Sequence, residues 1–84
     1  MDRKIPSPGT KVQHFKRELK PEGDMYYYTI IGVATDTETG EDMMVYQALY
    51  GDRKMYCRPL DIFLSEVDHV RYPDIKQKYR FEEI

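Results

Sequence analysis

The clearest pattern in the chain is an alternating stretch from Met25 to Asp36, dense in aromatic and β-branched side chains. Those residue types pack well on a pleated sheet. A period of two places Tyr26, Tyr28, Ile30, Gly32 and Ala34 on one face. Tyr27, Thr29, Ile31, Val33 and Thr35 fall on the other, so both faces carry apolar groups. This suits a strand in a small curled barrel with partial cover outside. Gly32 weakens the strand at mid-length and marks a bulge, a bend or a close backbone approach. Residues 37–41, Thr-Glu-Thr-Gly-Glu, read as a hairpin loop in which Gly40 takes a positive φ. The partner strand covers residues 42–50, with Met43, Val45, Gln47 and Leu49 alternating against Met44, Tyr46, Ala48 and Tyr50. Gly51-Asp52 is a second tight turn, and Met55 to Arg58 form a third strand.

Flanking this meander the signals are shorter. Val12-Gln13-His14-Phe15 has period two and predicts a brief strand, ended by the turn formers of residues 20–24. Pro59 lacks an N–H and stops the third strand, and Leu60, Phe63, Leu64 and Val67 then follow helical spacing. One helical turn is expected at about 59–65, a turn at Tyr72-Pro73-Asp74, and a last strand at Tyr79-Arg80-Phe81. Residues 1–10, with Pro6, Pro8 and Gly9, read as a flexible arm. The fold class is all-β: a small SH3-type barrel over residues 11–84, with one short helical turn. An open sheet with a helix packed across it is the alternative.

Composition narrows the picture in three ways. Eighty-four residues make one domain with a thin core, burying about 60–65% of the unfolded surface. Cys57 is the sole cysteine, so there is no internal disulfide, which fits a reducing compartment. No apolar run approaches the roughly 18 residues of a membrane span, and the first residues lack a signal-peptide core. A cytoplasmic protein without a membrane partner is the expectation. The net charge of −2 hides an asymmetry. Residues 1–20 hold six Lys/Arg against two Asp/Glu, whereas residues 21–52 hold seven Asp/Glu and no Lys or Arg. A general nucleic-acid surface needs clustered cations, and the only cluster, Lys11, Lys16, Arg17 and Lys20, is loose, so nucleic acid is not favoured.

Candidate chemistry is sparse. His14, His69 and Cys57 stand alone, without the spacing of a metal site, and phosphate-loop and dinucleotide glycine patterns are absent. No metal and no cofactor are expected. Cys57 reads as a small buried hydrophobe. His14 shares a strand face with Val12 and is either a structural histidine or the polar wall of a groove. Arg58 either pairs with Asp61 or Glu38 as a clamp or offers its guanidinium to an anionic partner. Tyr46 and Tyr50 flank the small Ala48 on one face, with Gln47 beside them. Two such rings make either outer packing for the helical turn or a slot for a base or a proline-rich peptide.

Several blocks together resemble a bacterial family catalogued as domain of unknown function 1653. They are Val12 to Lys16, Tyr28 to Ala34, Thr37 to Glu41, Val45 to Gly51, Arg58 to Phe63, and Arg80-Phe81, spanning about residues 12–81. The resemblance implies an SH3-type barrel and a bacterial source, and it brings no activity, substrate or partner. The family pattern usually has His where this chain has Asp36, and Trp where it has Tyr56. The favoured function is a non-enzymatic binding module for a protein, a peptide or a nucleotide-like ligand. Its candidate ligand residues are His14, Tyr46, Gln47, Tyr50, Arg58 and Asp61. A small hydrolase or transferase using His14 with Asp61 or Glu38 is the alternative. A structural domain that self-associates through the outer face of residues 25–35, as a weak dimer, is a further one.

Overall fold

Aromatic and β-branched density puts the longest strands in the middle of the chain. A computed structural model describes residues 3–84. Five strands run in chain order: β1 (Lys11–His14), β2 (Tyr27–Thr35), β3 (Asp42–Ala48), β4 (Met55–Pro59) and β5 (Phe81–Glu83). One turn of 3₁₀ helix (Phe15–Glu18) follows β1, and one turn of α-helix, α1 (Leu60–Phe63), follows β4. All pairings are antiparallel, and the spatial order is β4-β3-β2-β1-β5. The protein is therefore mostly β, one open sheet with a short helix. Among the described residues, no helix is long and apolar enough to cross a membrane.

The expected closure into a barrel is not made by backbone pairing. Strands β4 and β5 are the two edges of the sheet and do not pair with each other. Side chains span the gap instead. Phe63 of α1 stacks on Phe81 of β5, with ring centroids 4.2 Å apart and planes 13° from parallel. Arg58 of β4 lies over the Phe81 ring at 5.6 Å. Both phenylalanines are fully buried, in a core with Val12, Tyr28, Ile30, Met44, Tyr46 and Ala48. These are inward positions of the period-two pattern, as far as Ile30. A bulge between Ile30 and Gly32 then shifts the register, and Gly32 takes φ +152°. Beyond it the strand leaves the core, and Ile31 and Val33 are exposed.

The hairpin after β2 turns as its sequence dictates. Gly40 has φ +73° and donates its N–H to Asp36 C=O at 2.7 Å. The turn at Gly51-Asp52 is wider than two residues. Ala48 N–H bonds Lys54 C=O, and both Gly51 and Arg53 have positive φ. The last strand begins at Phe81, later than expected, because Tyr79 instead makes an isolated bridge with Glu66. Cys57 is exposed rather than buried. It pairs with Val45, between the inward positions Tyr56 and Arg58, so it projects from the outer face.

Residues 64–80 contain no regular element, and polar side chains anchor them. Gln77, 6% exposed, donates from Nε2 to the carbonyls of Gln13, Tyr79 and Arg80. Its Oε1 accepts from Gln13 Nε2 at 3.0 Å. The Glu18 carboxylate accepts the N–H groups of Lys76 and Gln77. Beneath the loop, Phe15, Val67 and Ile75 form a second small core. Residues 3–10, expected as the arm, run beside the sheet. Gly9 donates to Ile30 C=O at 2.8 Å, and the Arg3 guanidinium donates to the carbonyls of Leu64 and Phe81.

Three substitutions test this account by urea unfolding. Phe81→Ala is expected to cost about 3–5 kcal/mol through the lost burial and the cavity it leaves. Gln77→Ala is expected to cost about 1–3 kcal/mol, because the partly buried carbonyls of Gln13 and Tyr79 lose the Gln77 donor. Met55→Ala, at an exposed position, should stay within about 0.5 kcal/mol of the parent.

Candidate functional site

The inward face near the open edge of the sheet is built almost wholly of rings. Tyr46 on β3 is directly opposite Tyr56 on β4, and the two rings stack at 5.9 Å. Ala48 is directly opposite Tyr28 on β2. The space left by this small side chain is taken by the Tyr28 ring, which meets Tyr46 edge-on at 5.2 Å and Tyr50 at 5.7 Å. Tyr28 and Tyr50 join hydroxyl to hydroxyl at 2.8 Å. Tyr26 precedes β2 with a left-handed φ of 68°, and its ring meets Tyr50 and His14. A tyrosine held there costs about 1–2 kcal/mol, so its surroundings fix it in place. These five tyrosines surround a cavity of about 230 Å³, whose remaining walls are His14, Lys16, Arg58 and the buried Phe81.

A second cavity, of about 180 Å³, shares His14, Lys16 and Arg58 as a common wall. Its other sides are Phe15, Asp68, Arg71, Tyr72 and Arg80. Four cations thus come together, Lys16 from the 3₁₀ turn, Arg58 from β4, and Arg71 and Arg80 from the loop of residues 64–80. Among the described residues Asp68 is the one carboxylate lining this cavity, and its Oδ1 already accepts the N–H groups of Val70 and Arg71. The Nε of Arg80 is buried with no hydrogen-bond partner.

His14 ends β1, 9% exposed. Its Nδ1 accepts the Lys16 N–H at 3.1 Å, so the neutral ring carries its proton on Nε2. Burial, reinforced by the charges of Arg58, Lys16 and Arg80, pushes the imidazole down to about 4. The Tyr28 hydroxyl is pushed up, chiefly by burial and then by its bond to Tyr50. Burial also raises Tyr46, although the Arg58 guanidinium opposes this by donating from Nε to the hydroxyl at 3.1 Å. At neutral pH the Tyr28 and Tyr46 phenols and the His14 imidazole are therefore neutral, beside a cationic cluster.

Of the residues singled out from the sequence, His14, Tyr46, Tyr50 and Arg58 meet around the tyrosine cavity. Gln47 does not. It alternates to the outer face, and its Nε2 donates to Arg53 C=O. Asp61 lines a separate surface hollow with Glu41, Asp42 and Leu60, and its Oδ1 accepts its neighbour Ile62 N–H. The hydrogen bond of Arg58 goes to Tyr46, not to Asp61 or Glu38. Neither of those carboxylates lines either cavity beside His14. Among the described residues, no group of three or more His, Cys, Asp or Glu gathers as a metal site would require. Sequence reasoning missed Tyr26, Tyr28, Tyr56, Lys16, Arg71 and Arg80. The sequence signal for Tyr56 was its aromatic character, kept where the resembled family pattern has Trp.

The family described as Protein of unknown function (DUF1653) matches residues 10–83. The chain belongs to this family. The DUF1653 match spans all five strands and contains both cavities' shared wall, His14, Lys16 and Arg58. No curated protein and no solved structure matches the chain.

The depressed imidazole sets a sign for stability against pH. The unfolded chain, with His14 at its ordinary 6.5, takes up a proton before the folded chain does. The stability owed to neutral His14 is complete above that value and is lost as pH falls towards 4. Urea midpoints measured from pH 7 down to pH 4.5 should fall for the parent. His14→Gln should show a shallower fall over the same window. Equal slopes would mean that His14 titrates normally in the folded state.

Proposed function

We propose that the protein is a non-enzymatic binding module whose tyrosine cavity takes the planar ring of a nucleotide-like ligand. The observation that supports this most is the set of five tyrosines and Phe81 around one cavity of about 230 Å³. Aromatic rings stack on the π-face of any base, each contact contributing about 1–3 kcal/mol. Pockets enclosing drug-sized ligands run from roughly 300 to 1,000 Å³, so this cavity suits a single ring system. The hydroxyls of Tyr28, Tyr46 and Tyr50 supply donors and acceptors for its edge. His14 fits a wall better than a base, since Nδ1 is occupied and no carboxylate orients the ring.

The sheet order β4-β3-β2-β1-β5, with a helical turn between the fourth and fifth strands, supports reading the curl as a small SH3-type barrel. Barrels of that size mostly bind rather than catalyse, which is an argument by analogy of fold. A bacterial cytoplasm is the setting that accords with the sequence.

The test is an NMR titration with mononucleotides, short oligonucleotides and a proline-rich peptide. Saturable shifts at Tyr28, Tyr46, Tyr50, Tyr56 and His14 are expected with mononucleotides. Tyr56→Ala, at a position 41% exposed, should keep the fold and weaken binding about 5- to 100-fold. Shifts with the peptide alone, or none with any probe, would overturn the nucleotide reading.

A further inference from the structure

We propose that the cavity between Lys16, Arg58, Arg71 and Arg80 is an anion subsite for a phosphate group, making the ligand of the adjoining tyrosine cavity a phosphorylated ring compound such as a nucleoside monophosphate. The second half rests on the nucleotide reading above; the phosphate subsite stands on its own geometry.

Four observations carry it. First, the cations come from three separate segments, the 3₁₀ turn, β4 and the loop of residues 64–80, so only the folded chain brings them together. Holding like charges close is unfavourable, and a single carboxylate, engaged by its own turn, does not balance them. Second, Arg80 lines this cavity half-buried, and its Nε has no hydrogen-bond partner among the described residues. An unmet buried donor of this kind is costly unless something outside the chain offsets it. Arginine forks also match the geometry of phosphate oxygens. Third, the volume of about 180 Å³ suits a group the size of phosphate. Fourth, the wall of His14, Lys16 and Arg58 is common to both cavities, so an anion on one side lies one side chain from a ring on the other.

The probe is inorganic phosphate at pH 7, titrated into the full chain against sodium chloride of equal ionic strength. Saturable shifts should appear at the Lys16 and Arg71 amides and at the side-chain Nε–H of Arg58 and Arg80. The His14 imidazole, followed by its ring resonances, should titrate about 1 unit higher with phosphate bound. Lys16→Gln with Arg71→Gln, both on exposed side chains, should weaken phosphate at least about 10-fold without lowering the unfolding midpoint. A nucleoside monophosphate should bind at least about 10-fold tighter than its nucleoside, and that advantage should vanish in the double variant. Tyr56→Ala should weaken the nucleoside and leave inorganic phosphate unaffected. Phosphate binding with no nucleoside binding would end the ring reading and keep the subsite. Nucleoside binding with no response to phosphate beyond that to chloride, or with shifts scattered over other lysines, would overturn the subsite alone.

Discussion

The stack of Phe63 on Phe81 is the contact on which the rest of the architecture depends. An antiparallel sheet of five short strands has two edges, and here no backbone hydrogen bond joins them. What curls the sheet is ring against ring, and the same Phe81 also packs on His14, Tyr28 and Tyr46. The residue that holds the curl is thus a wall of the tyrosine cavity. Core and site are not separate layers in a chain this small. Hydrophobic burial shapes the cavity, and only its rim is free to vary without affecting the fold.

Much of the fold was legible because the meander has strong period-two patterning. The strands expected at residues 25–36, 42–50 and 55–58 are found at 27–35, 42–48 and 55–59, and the positive φ of Gly40 and the irregularity at Gly32 also follow from the pattern. Register was not legible. Without it, Ala48 reads as an open slot between Tyr46 and Tyr50, whereas pairing with Tyr28 fills that slot. Alternation alone separated Gln47 from Tyr46, and the wall of Tyr26, Tyr28 and Tyr56 required cross-strand partners. The loop of residues 64–80 was opaque for a different reason. Its anchors are Gln77 and Glu18, polar groups that reach backbone 58 to 64 residues away in the chain, and such contacts leave no periodic trace.

Charge shows the same gap between sequence and space. A net charge of −2 and an acidic middle segment argue against an anionic partner. The fold separates the signs. Glu38 and Glu41 stay in an exposed hairpin turn, while Lys16, Arg58, Arg71 and Arg80 come to one cavity. Local potential, not the total, governs what a cavity of this size attracts.

The pairing of β1 with β5 also has a kinetic side. Val12 is opposite Glu83 and His14 is opposite Phe81, so these ladders close loops of nearly seventy residues. The meander of β2, β3 and β4 closes through short hairpins instead. Loop-closure entropy must be met before a distant pairing gives anything back, so the meander can condense first and β5 docks late. Both cavities need Phe81 or Arg80, so neither exists until that last strand arrives. A molecule that fills them binds only the finished chain, and by mass action it holds the slowest half of the fold in place.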